Sequence, residues 1–279
     1  MDSLLAHKSS PAPSRRAKPR NPDIEIRERT KLANQLYAAG CTGDLDAIRL
    51  LLEAGAPINE PTKVRGLYDA FKPPKPGTLS ALAGAAGNGQ LDACELLLCS
   101  GAALNPTMTE SSSSLLHQAC RVDDLEIARF LLEVGANVNS QNCYKTTPLM
   151  LAVKQGSPDL VALLLIYKPD FALTSFMHTA AIHWAIWPGH DRNLELMLAA
   201  GADPNPEMGD GATPLHCAAQ CGFVVMVEIL LRYVADPTKR NLDWKTPRGI
   251  AEAEGWSEVS EMLLKAEERW KIRTVSKGP

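Results

Sequence analysis

The apolar positions of this chain fall in pairs of short clusters. In TPLHCAAQCG (213–222) the small and apolar residues fill a stretch too short for a free-standing helix, and FVVMVEILLR (223–232) follows at once with Val227, Leu230 and Leu231 on one stripe and Ile229 beside it. The pattern predicts two short helices joined by a tight turn. Thr213 can cap the first helix with its hydroxyl, and Pro214 at the first helical position sacrifices no useful N–H while its φ is already set. Gly222 ends that helix where a left-handed backbone is wanted. Ala218 and Ala219 are small enough to let a neighbouring hairpin approach closely. One such hairpin cannot bury its apolar face alone, so stability has to come from stacking on further copies.

Copies are present. The residue in the place of Gly222 is, in turn, Gly43, Gly89, Asp123, Gly156, Gly189, Gly222 and Gly255, at spacings of 46, 34, 33, 33, 33 and 33. The units include QLYAAGCTGDLDAIRLLLEAGAPIN (35–59), SLLHQACRVDDLEIARFLLEVGANVN (114–139), TPLMLAVKQGSPDLVALLLIYKPDFA (147–172) and AAIHWAIWPGHDRNLELMLAAGADPN (180–205). TPLHxAAxxG, an apolar helix with a Leu pair, and a GADxN loop resemble the ankyrin repeat, over about 24–264. The resemblance implies an all-α solenoid of stacked helix–turn–helix units with extended inter-repeat loops, filling residues 23–264. Seven units are expected near 29–60, 78–106, 112–140, 145–173, 178–206, 211–239 and 244–264.

Several places depart from the pattern. Asp123 replaces a helix-ending glycine, and Lys168, Pro169 and Val234 interrupt the GAD-type loops, so adjusted turns are expected there. The last unit has Arg248 and Gly249 where Leu and His would sit, and the charged segment 265–279 after it reads as a polar cap and tail. Residues 60–79 insert about a dozen extra positions, with Leu67, Tyr68 and Phe71 among Pro and Lys; a loop of that length is functional or unstructured. The SSSS run at 111–114 is a one-residue expansion read as a solvated turn. Residues 1–22 are rich in Pro, Ser and basic side chains and read as a disordered tail, with RRAKPR at 15–20 a candidate nuclear import signal or a plain solvated patch.

Composition narrows the class. Hydrophobic residues at 45% with aromatics at only 5% suit Ala, Leu, Val and Ile packed between helices better than a β-sandwich. A net charge of -3 argues against a general polyanion binder, and so against nucleic acid as the default partner. Seven cysteines, and an N-terminus carrying Pro and Arg in place of an apolar signal region, point to free thiols in a reducing compartment, cytoplasmic or nuclear. No apolar run approaches the roughly 18 residues that span a bilayer.

Candidate chemistry dissolves into architecture. His117, His183 and His216 share one phase of the repeat, where the resemblance implies a hydrogen bond between adjacent turns rather than catalysis, and His190 holds a second recurrent position. Cys217 and Cys221 with His216 offer too few ligands for a structural zinc site, and no CxxC, HExxH, phosphate loop or dinucleotide motif occurs. Asp44, Asp46, Asp92, Asp124, Glu126, Asp159 and Glu195 recur near second-helix starts, where they complement the helix dipole. No catalytic residue, cofactor or metal ligand is expected, and no small-molecule substrate.

The expected activity is therefore a monomeric, non-catalytic interaction module: an adaptor, scaffold or inhibitor, with a nuclear regulator of transcription or of a pathway, acting through protein contacts, as the alternative and a metal-dependent or other enzyme ranked last. Proteins of this family contact partners through loop tips and through the two residues before the glycine of each first helix. That phase marks Lys154, Trp187, Gln220 and Cys221, and the loop tips mark Tyr144, Phe176 and Met177. Large amphipathic side chains of this kind are enriched at binding hot spots. In similar proteins the asparagine of GADxN, here Asn59, Asn105, Asn139 and Asn205, can be hydroxylated, although its routine work is turn hydrogen bonding.

Overall fold

The computed structural model describes residues 22–60, 80–104 and 113–275. The RRAKPR stretch, residues 61–79 of the insertion, Asn105 and the start of the SSSS run lie outside them. Fourteen α-helices occur among the described residues, and the only strand-like pairing there is an isolated bridge between Thr174 and Ala180. The helices pair as α1 (Pro22–Thr42) with α2 (Leu45–Glu53), α3 (Ala81–Gly87) with α4 (Leu91–Cys99), α5 (Leu115–Val122) with α6 (Leu125–Glu133), and α7 (Pro148–Gln155) with α8 (Pro158–Ile166). They continue as α9 (Ala181–Ile186) with α10 (Asp191–Ala199), α11 (Pro214–Cys221) with α12 (Val224–Arg232), and α13 (Pro247–Glu254) with α14 (Ser257–Val275). First helices pack on first helices and second on second, which makes two rows.

Two residues per unit carry the stacking. Ala85, Ala119, Ala152, Ala185, Ala218 and Ala251 hold one phase of the first helices and are all 0% exposed. Small side chains there let successive first helices approach closely. Leu97, Leu131, Leu164, Met197, Leu230 and Leu263 hold one phase of the second helices and are again all 0% exposed. Side chains of that size, fully buried, each contribute on the order of 2 kcal/mol, and they do so only when a neighbouring unit covers them.

Capping explains where the helices begin. Ser80, Ser114, Thr147 and Thr246 accept a hydrogen bond from the backbone N–H three residues on. Thr213 departs from the expected arrangement: its hydroxyl lies 2.8 Å from His216 Nδ1, while the His216 amide donates to the Thr213 carbonyl at 2.9 Å. Asp44 and Asp124 cap second helices, and Asp46, Asp92, Glu126 and Asp159 lie in first turns. Glu195 does not: it sits a turn inside α10 and pairs with Arg192 at 3.3 Å and with Arg232 of the next unit at 3.0 Å.

The turns expected to adjust keep their geometry. Asp123 adopts φ 59°, in line with Gly43, Gly89, Gly156, Gly189, Gly222 and Gly255, all of which have positive φ. Lys168 (φ 52°) and Val234 (φ 66°) likewise take the left-handed backbone of Gly55, Gly101, Gly135 and Gly201. Packing on both sides fixes the turn, so the side chain takes the strain, about 1–2 kcal/mol for a residue with a Cβ. Beyond each turn an asparagine reaches the next unit. Asn59 Oδ1 accepts from Ala103 N–H at 2.7 Å, Asn139 Oδ1 from Asp170 N–H at 2.8 Å, and Asn205 Oδ1 from Asp236 N–H at 2.7 Å.

Both ends are built differently. α1 and α14 run to 21 and 19 residues against six to nine in the helices between. Arg248, in place of the usual leucine, pairs with Glu252 at 3.3 Å and with the buried Glu267 at 3.2 Å, which ties α13 to the extension of α14. Gly249 stands at the phase of His117, His183 and His216.

Candidate protein-binding surface

Between units the described residues form four tight loops, or fingers. In each, the fourth residue donates its N–H back to the carbonyl of the first: Lys145 to Asn142 at 2.8 Å, His178 to Ser175 at 3.0 Å, Gly211 to Met208 at 2.9 Å and Trp244 to Asn241 at 3.0 Å. That fourth residue is left-handed in every finger, with φ of 54°, 54°, 76° and 61°. One bond joins each finger to the one before it: Phe176 N–H to the Tyr144 carbonyl at 3.2 Å, Gly209 N–H to Met177 at 3.2 Å, and Leu242 N–H to Asp210 at 2.9 Å. The result is a ladder of turns that holds the loop tips in register.

The recurrent histidines anchor this ladder. His117 Nδ1 accepts from the Ser114 N–H at 3.1 Å, and its Nε2–H donates to the Thr146 carbonyl at 2.8 Å, at the base of the next finger. His216 repeats the arrangement with Thr213 at 3.1 Å and the Lys245 carbonyl at 3.1 Å. The acceptor role of Nδ1 places the ring proton on Nε2. Burial holds both rings below the ordinary histidine pKa. His183 occupies the same phase and is 0% exposed, but neither ring nitrogen has a hydrogen bond of normal geometry. Ala180 stands at its cap position and brings no hydroxyl. Burial pushes its pKa down to about 4, against smaller opposing effects from the backbone of Ala180 and Ala212 and from Asp210.

Two buried thiols are quiet for the same reason. Cys94 and Cys217 are pushed up to about 12, chiefly by burial and then by nearby carboxylates. A thiol with such a pKa is a poor nucleophile and a poor metal ligand at neutral pH. Among the described residues no three His, Cys, Asp or Glu side chains converge on a metal-sized site, and no helix is long and apolar enough to cross a membrane.

Of the seven residues singled out from the sequence, five fall in two places and two, Lys154 and Cys221, belong to neither. Tyr144 (62% exposed), Phe176 (63%) and Met177 (73%) stand on finger tips, with Lys145 Nζ 6.0 Å from the centre of the Phe176 ring. Trp187 and Gln220 instead line a concave groove of about 210 Å³ between the fingers and the first helices of the last three units. Lys154 lies on α7 with its ammonium 5.5 Å from the centre of the Trp184 ring, where cation and ring attract. Cys221 is half-buried and does not line the groove.

Two exposed residues complete the row. Leu242 shares the phase of Phe176 but was not singled out for its size, and Trp244 was missed altogether; they are 72% and 76% exposed on the last described finger. The signal for Trp244 is its phase, 33 residues beyond Gly211 at the position where a finger wants glycine. Trp256 was also passed over, and it holds two units together. Its Nε1–H donates to the Gln220 carbonyl at 3.0 Å, and its ring covers Gly222 so closely that a Cβ there would sit 2.6 Å from it. His190 covers Gly156 in the same way.

A row of same-phase helical hairpins with a ladder of fingers defines a repeat solenoid, and comparison with known proteins agrees. The family model for ankyrin repeats matches in three overlapping copies, at 82–175, 116–208 and 182–273, so the chain belongs to the ankyrin repeat family. It is 32% identical over 234 residues to human ankyrin repeat and SOCS box protein 16, across 80% of this chain and 48% of that protein. Identity is 30% over 156 residues to the chicken nuclear factor NF-kappa-B p105 subunit, across 54% of this chain and 16% of that one. A putative ankyrin repeat protein of fowlpox virus, FPV031, is 30% identical over 169 residues, across 58% of this chain and 50% of that one. The chain spans half or less of the length of these relatives. Arrays of this family are protein–protein interaction modules.

Proposed function

We propose that the chain is a non-catalytic adaptor, scaffold or inhibitor that holds a protein partner across the finger tips and concave face of units three to six. The observation that carries the reading is the row Tyr144, Phe176 and Met177, three large apolar side chains each more than 60% exposed on a backbone held in register by hydrogen bonds. Large apolar groups on a rigid frame lose little conformational freedom on binding, so their burial by a partner is retained as affinity. Trp187 deepens the surface from the groove behind.

The test begins with affinity capture from native cells to identify the partner, followed by calorimetry of the purified pair. Replacing Phe176→Ala together with Trp187→Ala is expected to weaken binding roughly thirtyfold, the size of a hot-spot loss of about 2 kcal/mol. Far-ultraviolet circular dichroism should be unchanged, because neither residue belongs to the stacked alanine and leucine rows. An unaltered Kd in a variant of native helicity would refute the assignment of the surface.

A further inference from the structure

We infer that the last finger, residues 241–245, is an open edge that receives an extended segment of a protein partner carrying an arginine or lysine next to an apolar residue. The inference rests on the interaction reading above and names the chemistry of what is held.

Three observations meet at this finger. The first is the ladder. Tyr144, Met177 and Asp210 each accept at their carbonyl from the next finger, and the fourth residue of that phase is Asp243. After it the chain turns into α13 and α14, and no donor among the described residues reaches the Asp243 carbonyl. An extended segment laid alongside would supply the missing N–H, as a strand does when it adds to a sheet edge. The second is the apolar flank: Leu242 and Trp244, either side of that carbonyl, are 72% and 76% exposed. The third is charge. The groove behind the finger is lined by the carboxylates of Asp210, Asp243 and Glu254 against one ammonium, Lys245, with the Trp187 ring also in its wall. Arg240, the nearest guanidinium on this loop, is held on the Trp244 carbonyl at 2.9 Å and does not line the groove. A long cationic side chain fits three carboxylates beside an indole face; an acidic one is repelled.

The three features also set an order. A backbone N–H on Asp243 places one side chain of the segment over Leu242 and Trp244 and its neighbour toward the opposite side, since side chains alternate along an extended chain. A cation adjacent to an apolar residue is therefore the shortest motif that satisfies both sides.

The probe is a displayed library of random nine-residue peptides selected on the full chain. Enriched sequences are expected to share an arginine or lysine adjacent to a large apolar residue. A synthetic peptide of that sequence should lose at least tenfold in affinity against Trp244→Gly, which suits the left-handed backbone there, and against Asp243→Asn with Glu254→Gln. N-methylation of a single peptide amide should cost as much, and Tyr144→Ala less than twofold. Selection that yields no peptide, or peptides without a cation, overturns the inference, as does an affinity indifferent to Trp244 and Asp243. Peptides that depend on Tyr144 and Phe176 alone would overturn it while leaving the wider interaction reading intact.

Discussion

Adding a single oxygen at position 180 should stabilise the array. Ser114 and Thr213 place a hydroxyl 2.8 Å from Nδ1 of the histidine three residues on, whereas Ala180 leaves His183 without that partner and leaves α9 without a side-chain cap. A serine in place of alanine at a helix start gains about 1 kcal/mol. Satisfying a buried polar atom recovers part of a penalty of about 1–3 kcal/mol. Part is lost again to burial of the new hydroxyl at a position only 3% exposed. Ala180→Ser should therefore raise the unfolding free energy by about 1–2 kcal/mol. Urea melts followed by circular dichroism at pH 7.5 read this as a higher midpoint at an unchanged slope, and the thermal midpoint should rise by roughly 2–4 °C per kcal/mol for an array of this size. Nitrogen NMR should show His183 fixed in the tautomer protonated at Nε2. A midpoint that stays or falls, with helicity intact, would show that the His183 site has no room for the hydroxyl and that the histidine phase is not a hydrogen-bonding device there.

Acid should loosen the same units. The folded pKa of His183, about 4, lies below the ordinary 6.5, so its contribution is complete above about pH 6.5 and is lost as pH falls toward 4, about 3 kcal/mol over the whole window and roughly 1 kcal/mol by pH 5.5. His117 and His216 shift in the same direction. A urea midpoint equal at pH 7.5 and 5.5 would contradict this, and His183→Gln should flatten the dependence. Lys168→Gly should add about 1 kcal/mol by relieving a left-handed lysine whose side chain is exposed, net of the freer unfolded chain; a lower thermal midpoint would mean that the Lys168 backbone is not strained.

How far the sequence reveals this molecule depends on what repeats. The phase of Gly156, Gly189 and Gly222, the histidines at 117, 183 and 216 and the leucine rows are legible because each unit restates them and each restatement meets the same neighbour. Misreadings arose where one copy differs. Asp123, Lys168 and Val234 suggested altered turns, yet packing from both sides imposes the backbone and the odd residue conforms to it. Glu195 looked like a dipole partner by its place in the string, but the contact that decides its role comes from Arg232, 37 residues on. Of the candidate site, Tyr144, Phe176 and Met177 were legible as bulk where solvated residues are the pattern. Trp244 was not, since its meaning lies in a backbone angle that no local motif announces.

That angle bears on function. The fourth residue is left-handed in all four described fingers, and among them glycine satisfies it without strain only at Gly211. Lys145, His178 and Trp244 each carry a Cβ there at a cost of about 1–2 kcal/mol, and Trp244 returns little of it through packing, being 76% exposed. Lys145 sets its ammonium over Phe176, so its strain positions a charge on the surface row. In the helix-ending turns of the described residues, by contrast, glycine holds ten of the thirteen left-handed places, the exceptions being Asp123, Lys168 and Val234. Strain is thus tolerated preferentially in the segment that folding needs least and that a partner would touch first. An inference from strained residue to function is sound in that direction, and it points at the fingers rather than at the helices that carry them.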